Sequence, residues 1–193
     1  MVRTSLLACC LLLALAPCAA SDSQLIAGVF DPPRVAPELG LEGSHDKPLN
    51  LADYRGKVVI LGFGFTSCSE VCPVTLAVLA QARKQLGTLA DQVQVVYVTV
   101  DPETDSAERM REYLALFDPG FVGGTGNAEA LRAVRKEYGV VAKRETNVGT
   151  GYSYAHSSYT FLIDRQGRVR ALMPYGHPAE DFAHDVQVLL GEP

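Results

Sequence analysis

The sequence predicts a mixed α/β domain: a central β-sheet flanked by helices, with an antiparallel hairpin and a closing helix at its C-terminal end. Three observations carry that prediction. Val58–Phe65 and Val93–Val100 are unbroken apolar runs, the pattern of strands buried on both faces at the centre of a parallel sheet. Each is followed by a stretch with helical periodicity, which gives the strand–helix alternation of an α/β fold. Tyr159–Ile163 and Val169–Met173 are separated only by the turn Asp164-Arg-Gln-Gly167, so these two strands should run antiparallel.

Taken in order, the chain opens with a segment to set aside. Arg3 supplies a positive n-region, Leu6–Ala16 a short apolar h-region, and Cys18-Ala-Ala20 small residues for cleavage. Residues 1–20 therefore read as a secretory signal peptide, too short to span a bilayer. Leu15-Ala-Pro-Cys18 offers a second reading, a lipoprotein signal with Cys18 lipidated, but Pro17 is unusual there, and soluble export is preferred. One arginine without an amphipathic basic pattern argues against a mitochondrial presequence. Residues 21–37 read as an extended lead segment, proline-rich from Phe30 to Pro37, and residues 38–193 as one domain with a sizeable core.

Within that domain Glu38–Leu51 suggests a small hairpin, and Leu51–Gly56 a turn of helix ending at glycine. After the first buried strand, Thr66-Ser67 turns into the amphipathic run Val74–Leu86. The second buried strand ends at Asp101-Pro102. Asp105 with Glu108 resembles a capping box opening the helix Ser106–Phe117. Phe121-Val122 is a short strand. Asn127 caps a helix over Ala128–Tyr138 that Gly139 ends. Glu145–Gly151 reads as a polar, flexible loop, and Ala179–Leu190 as the closing helix. A net charge of −5 with no basic run argues against nucleic acid and against electrostatic binding to anionic lipid.

The cysteines narrow the chemistry. Three of the five, Cys9, Cys10 and Cys18, lie in the export segment, leaving Cys68 and Cys72 in the domain. A disulfide between them would close a tiny loop and constrain the unfolded chain little, so a working pair is favoured over a structural staple. Two cysteines four apart on a helix share one face about 5.4 Å apart along the axis, within reach of a disulfide or of one metal ion. A helix N-terminus favours thiolate at Cys68, the form that attacks disulfides and binds metals alike. Pro73 is tolerated in the first turn, where its missing N–H costs nothing. A redox-active pair opening the helix after the central strand makes the expected fold thioredoxin-like.

Ordinary thiol–disulfide oxidoreductases of that fold carry C-x-x-C and a proline before their late strand. Here the spacing is C-x-x-x-C, no proline stands between Pro119 and Pro174, and the late strand is preceded by His156-Ser-Ser158. That loop faces the cysteine helix in such folds, so His156 should point toward the sulfurs. Two thiolates and one imidazole form a soft, three-coordinate site; thiolates select Cu(I), and imidazole makes Cu(II) tolerable. Structural zinc would need a fourth ligand, which is not apparent. His45, His177 and His184 lack this context and read as surface residues.

These motifs together resemble the Sco family of copper chaperones, also called the SenC family. The resemblance runs from about Phe30 to the C-terminus. It rests on Cys68-x-x-x-Cys72-Pro73 after a Gly-Phe-rich strand, Val100-Asp101-Pro102-x-x-Asp105, His156-Ser157 before Phe161-Leu-Ile-Asp164, and Pro174-Tyr175-Gly176. It implies one copper per chain, Cu(I) or Cu(II), bound by Cys68, Cys72 and His156. It also implies a role in assembling the dinuclear copper centre of a haem–copper (cytochrome c) oxidase in the bacterial periplasm. The implied partners are the copper-accepting oxidase subunit and a thiol–disulfide reductant. Members usually carry Asp just before this histidine, where this chain has Ala155, which puts the orientation of His156 in question. Asp101 and Asp105 read as turn and cap residues, with a partner contact as the alternative.

The leading expectation is thus a binding protein, a copper chaperone. The alternative is an enzyme, a thiol–disulfide reductase that works through Cys68 and Cys72 and keeps the acceptor cysteines reduced. A thiol peroxidase fits poorly. Peroxiredoxins place Thr and Pro where this chain has Phe65 and Leu61, and glutathione peroxidases use a tryptophan, absent here.

Overall fold

The computed structural model describes residues 24–147 and 151–192. Residues 1–20, read above as a signal peptide and including Cys18, lie outside these residues, as do residues 148–150 of the polar loop. Among the described residues ten strands and four α-helices follow one another: β1 (Gly28–Val35), β2 (Leu41–Gly43), β3 (Pro48–Leu49), β4 (Val58–Gly64), α1 (Val71–Gln85), β5 (Val93–Thr99), α2 (Ala107–Ala115), β6 (Val122–Thr125), α3 (Ala128–Tyr138), β7 (Ala142–Asn147), β8 (Gly151–His156), β9 (Thr160–Ile163), β10 (Arg168–Met173) and α4 (Ala179–Gly191). Eight strands form one mixed sheet in the order β1-β10-β9-β4-β5-β6-β2-β3. β4, β5 and β6 are parallel at its centre, and β9 returns antiparallel beside β4. Every residue of β4 is buried, as its unbroken apolar run requires.

Alternation along β4 sorts its residues between two helical layers. Phe63 points to the face covered by α3, where its ring lies 5.8 Å from Tyr138 and 6.2 Å from Phe161. Gly62 and Gly64 point to the face covered by α1, which packs there beside α4. A Cβ on Gly62 would come within 2.8 Å of the Tyr97 ring, and one on Gly64 would reach 2.7 Å from the Cys72 sulfur and collide with the Tyr97 hydroxyl. The glycines of the Gly-Phe-Gly-Phe run therefore make room for a tyrosine and a cysteine in the core. Among the described residues, no helix is long and apolar enough to cross a membrane.

Several boundaries differ from the sequence reading. The lead segment read as an approach to the domain is largely β1, an edge strand paired with β10 and so part of the sheet. The loop read over Glu145–Gly151 is mostly ladder: β7 and β8 form a separate two-stranded sheet in which Ala142 pairs with His156. α1 begins at Val71, so Cys68 lies before the helix and not on it. α2 is capped by Ser106, whose hydroxyl accepts from the Arg109 N–H at 3.2 Å. Asp105 is not the cap but a fully buried carboxylate. By contrast α3 spans the expected residues, with Asn127 accepting from the Ala130 N–H and Gly139 in the left-handed region at φ 68°.

Candidate metal centre

Cys68 sits in the turn between β4 and α1, whose N-cap, Glu70, makes no side-chain capping bond. The backbone N–H groups of Cys72, Glu70 and Val71 are directed to the Cys68 sulfur instead. The sulfur thus serves as the acceptor a capping oxygen would normally be. Partial burial pushes the Cys68 thiol up, but the amides and the Cys72 side chain outweigh it, and its pKa lies below the ordinary value. The expected thiolate-favouring position is present, reached by a turn.

Cys72 occupies the opposite environment. It is fully buried in the first turn of α1, over Gly64 and beside the Tyr97 hydroxyl. Burial pushes its thiol up to about 12, against which a hydrogen bond from Tyr97 acts only in part. Both cysteines are free thiols.

His156 closes the group from the β7–β8 hairpin. Its Nε2 stands 3.5 Å from the Cys72 sulfur, and its Nδ1 lies 2.8 Å from the Ser157 carbonyl oxygen. A carbonyl only accepts, so Nδ1 carries the proton and Nε2 presents its lone pair to the sulfur. Burial lowers the His156 pKa, the Ser157 carbonyl acting in the other direction, and the imidazole is neutral at pH 7. The ring also packs edge-on against Phe65 at 5.9 Å. Ala155 is therefore no gap in the support of the histidine, because a backbone carbonyl supplies the orientation a neighbouring carboxylate would give.

The spacing fits a shared ion. Zinc-like bonds of about 2.3 Å to sulfur and about 2.0 Å to nitrogen, at trigonal to tetrahedral angles, put two ligands of one metal about 3.5–3.7 Å apart. Among the described residues, however, no three His, Cys, Asp or Glu side chains converge tightly enough to hold a metal as they stand. The Cys68 sulfur is engaged by the helix amides and would have to turn. Phe65, Cys68, Glu70, Tyr154 and His156 line a cleft of about 420 Å³ in front of the group. His45 is exposed, His177 pairs with Asp181 at 2.8 Å and His184 with Asp185 at 2.9 Å. None of the three is brought to the sulfurs.

Two residues behind the site, Tyr97 and Tyr152, carry no mark in the sequence reading, and a third, Asp105, is read there as a turn or cap residue and not as a buried acceptor. Tyr97 sits in a strand whose pattern signals only burial. Asp105 and Tyr152 act through contacts 39 and 51 residues away along the chain, for which a single sequence carries no signal.

Fold and site together define a thioredoxin-like protein with two cysteines and a histidine gathered at the N-terminus of its first helix. The chain belongs to the SCO1/SenC family, whose model matches residues 31–191. It is 35% identical over 116 residues to the SCO2-like protein of Rickettsia prowazekii, an alignment covering 59% of this chain and 57% of that protein. Its fold superposes on copper-bound ScoI of Bradyrhizobium japonicum with a TM-score of 0.75 at 29% identity, covering 81% of this chain and 99% of that one. Against apo Sco1 of Thermus thermophilus the TM-score is 0.78 at 33% identity, over 88% and 99% of the two chains. The chain spans 52–68% of the length of the curated relatives it matches.

Proposed function

We propose that this chain is an exported copper chaperone that binds one copper ion through Cys68, Cys72 and His156 and passes it to the copper-accepting subunit of a haem–copper oxidase. Residues 1–20 direct export to the bacterial periplasm and are removed, with lipidation at Cys18 as the alternative fate. The observation that carries the reading is the neutral His156 Nε2, with its proton held on the other nitrogen, 3.5 Å from the Cys72 sulfur. Two sulfurs and an imidazole suit copper in either oxidation state. Binding requires Cys72 to give up a proton that burial retains, and Cys68 to turn from the helix amides toward the ion.

The asymmetry of the pair favours a second reading, thiol–disulfide reduction. Cys68, with its lowered pKa, suits attack on a partner disulfide, forming a mixed disulfide and releasing one partner thiolate. Cys72 would then lose its proton to His156 Nε2, attack the Cys68 sulfur, and release the second partner thiolate, leaving the Cys68–Cys72 disulfide.

Copper stoichiometry on reduced, anaerobic residues 21–193, beside His156→Ala, separates the two. The chaperone reading expects one copper per chain and a sharply weaker variant. Negligible binding, with both proteins exchanging disulfides equally well, would transfer the function to the reductase.

A further inference from the structure

The turn that follows β5 grips both halves of the site. The buried Asp105 carboxylate accepts from the Thr66 N–H at 3.0 Å, the Thr66 hydroxyl at 2.5 Å and the Thr99 hydroxyl at 2.6 Å. Thr66 lies two residues before Cys68, so this carboxylate fixes the start of the cysteine turn. The Asp101 carboxylate, 1% exposed, faces the other way. It accepts from the Tyr152 hydroxyl at 3.0 and 3.1 Å, while that hydroxyl lies 2.7 Å from the Thr104 hydroxyl. The two acids belong to one compact turn, closed by the Asp105 N–H donating to the Asp101 carbonyl at 3.0 Å. Arg144 on β7 reinforces the attachment, stacking 3.8 Å over the Tyr152 ring and pairing with Glu103 at 3.3 Å.

Tyr152 and His156 are four apart on β8 and share one side of the strand with Tyr154. These side chains form a row against the cysteine turn: Tyr152 on Tyr154 at 5.9 Å, Tyr154 on Phe65 at 5.7 Å, and Phe65 on His156. β7 and β8 pair with each other and not with the main sheet, so no ladder to the core fixes their position. Burial of both acids removes them from partner contact and leaves a positioning role.

We propose that the Asp101–Asp105 turn is the common bracket of the metal centre, and that Tyr152, seated on Asp101, is the positioning residue that brings His156 to the sulfurs. The inference deepens, and rests on, the reading of Cys68, Cys72 and His156 as copper ligands. A hydroxyl donating to a carboxylate is among the stronger hydrogen bonds, and losing it corresponds to about a tenfold change in an equilibrium.

The test compares wild type, Tyr152→Phe, His156→Ala and the double variant. It reads amide hydrogen exchange of β7 and β8 in the apo protein and Cu(I) affinity by competition with bicinchoninate. Tyr152→Phe should speed exchange across the hairpin about tenfold while leaving α1 unchanged, and should weaken copper about tenfold. The double variant should bind no more weakly than His156→Ala alone, because Tyr152 acts through that ligand. Exchange and affinity both at wild-type levels in Tyr152→Phe would overturn the bracket, as would losses that simply add in the double variant. If His156→Ala itself binds copper like wild type, the ligand reading fails, and hairpin exchange alone decides the bracket: faster in Tyr152→Phe upholds it, unchanged overturns it.

Discussion

The two sides of the candidate centre are built differently. The sulfur side is anchored in the core through Cys72, which is fully buried in α1 on the central sheet where Gly64 leaves space for its sulfur and the Tyr97 hydroxyl alone, with Cys68 in the turn before it. The imidazole side is an appendage, a two-stranded hairpin held by a tyrosine hydroxyl, an arginine stack and a row of aromatic edges. Core packing resists displacement because almost any shift opens a void or a clash. A hairpin fixed by side chains moves at far lower cost. The difference bears on the proposed capture and release of copper: the buried Cys72 sulfur is the fixed point of the site, Cys68 has to turn to join it, and His156 is the group the fold can most easily withdraw.

The largest effect should come from removing the platform itself. Oxidation of Cys68 and Cys72 to the disulfide ties up both thiolates and should abolish stoichiometric Cu(I) uptake, read by copper content after desalting. Full binding by the oxidised protein would place the metal elsewhere and dissolve the contrast between the two sides.

Next in size is an alkaline loss of stability owed to Cys72. Its folded pKa of about 12 exceeds the ordinary 9.0, so the unfolded chain releases that proton first. The contribution is intact below pH 9 and is lost progressively as pH rises from 9 toward 12, the loss approaching about 4 kcal/mol at the top of that window. Cys68, with its pKa lowered, acts oppositely and adds stability as pH rises toward 9. Buried Tyr97 and Tyr138 and half-buried Tyr113 also titrate late, so the measurement is the difference in urea stability between wild type and Cys72→Ala across pH 8–11. Parallel profiles would mean that Cys72 ionises as easily as an exposed thiol.

Much of this arrangement was legible in the sequence, for reasons that sort by range. β4 and β5 announce themselves as apolar runs, and α3 carries its own boundaries in Asn127 and Gly139, because capping is a contact within four residues. His156 was found through its place before a late strand. The distal part of the β7–β8 hairpin, from Glu145 to Gly151, reads as a loop because its chain is polar and the described β7 side chains are mostly exposed, leaving no apolar alternation to detect. Asp105 looks like a cap in sequence because Ser106 beside it fits the same local grammar, and its true partner Thr66 lies 39 residues back. The sequence places Cys68 at the helix start because nothing local shows that a sulfur, and not a hydroxyl, receives the first amides.

Gly64→Ala probes the platform from the core side. The added Cβ meets the Cys72 sulfur and the Tyr97 hydroxyl with no room to retreat, and overpacking of this kind costs about 1–3 kcal/mol. Chemical denaturation should show that loss in the apo protein, with reduced copper affinity as the sulfur is displaced. Wild-type stability and affinity would mean that the packing around Cys72 is loose enough to absorb a methyl group.

His156→Ala should give the smallest change in apo stability, while its effect on copper remains large. The imidazole's polar partners are the carbonyl of the next residue and the Cys72 thiol, a weak donor, and its ring covers one edge of Phe65. Their loss should cost under about 1 kcal/mol, in the range of side chains outside the core. The relevant quantity is the ratio of this loss to that of Gly64→Ala under the same urea protocol. A ratio well below one sustains a rigid Cys72 sulfur served by a movable imidazole. A ratio near one would mean that the hairpin is as integral to the fold as β4, and that copper release must begin at Cys68, the other ligand outside the core.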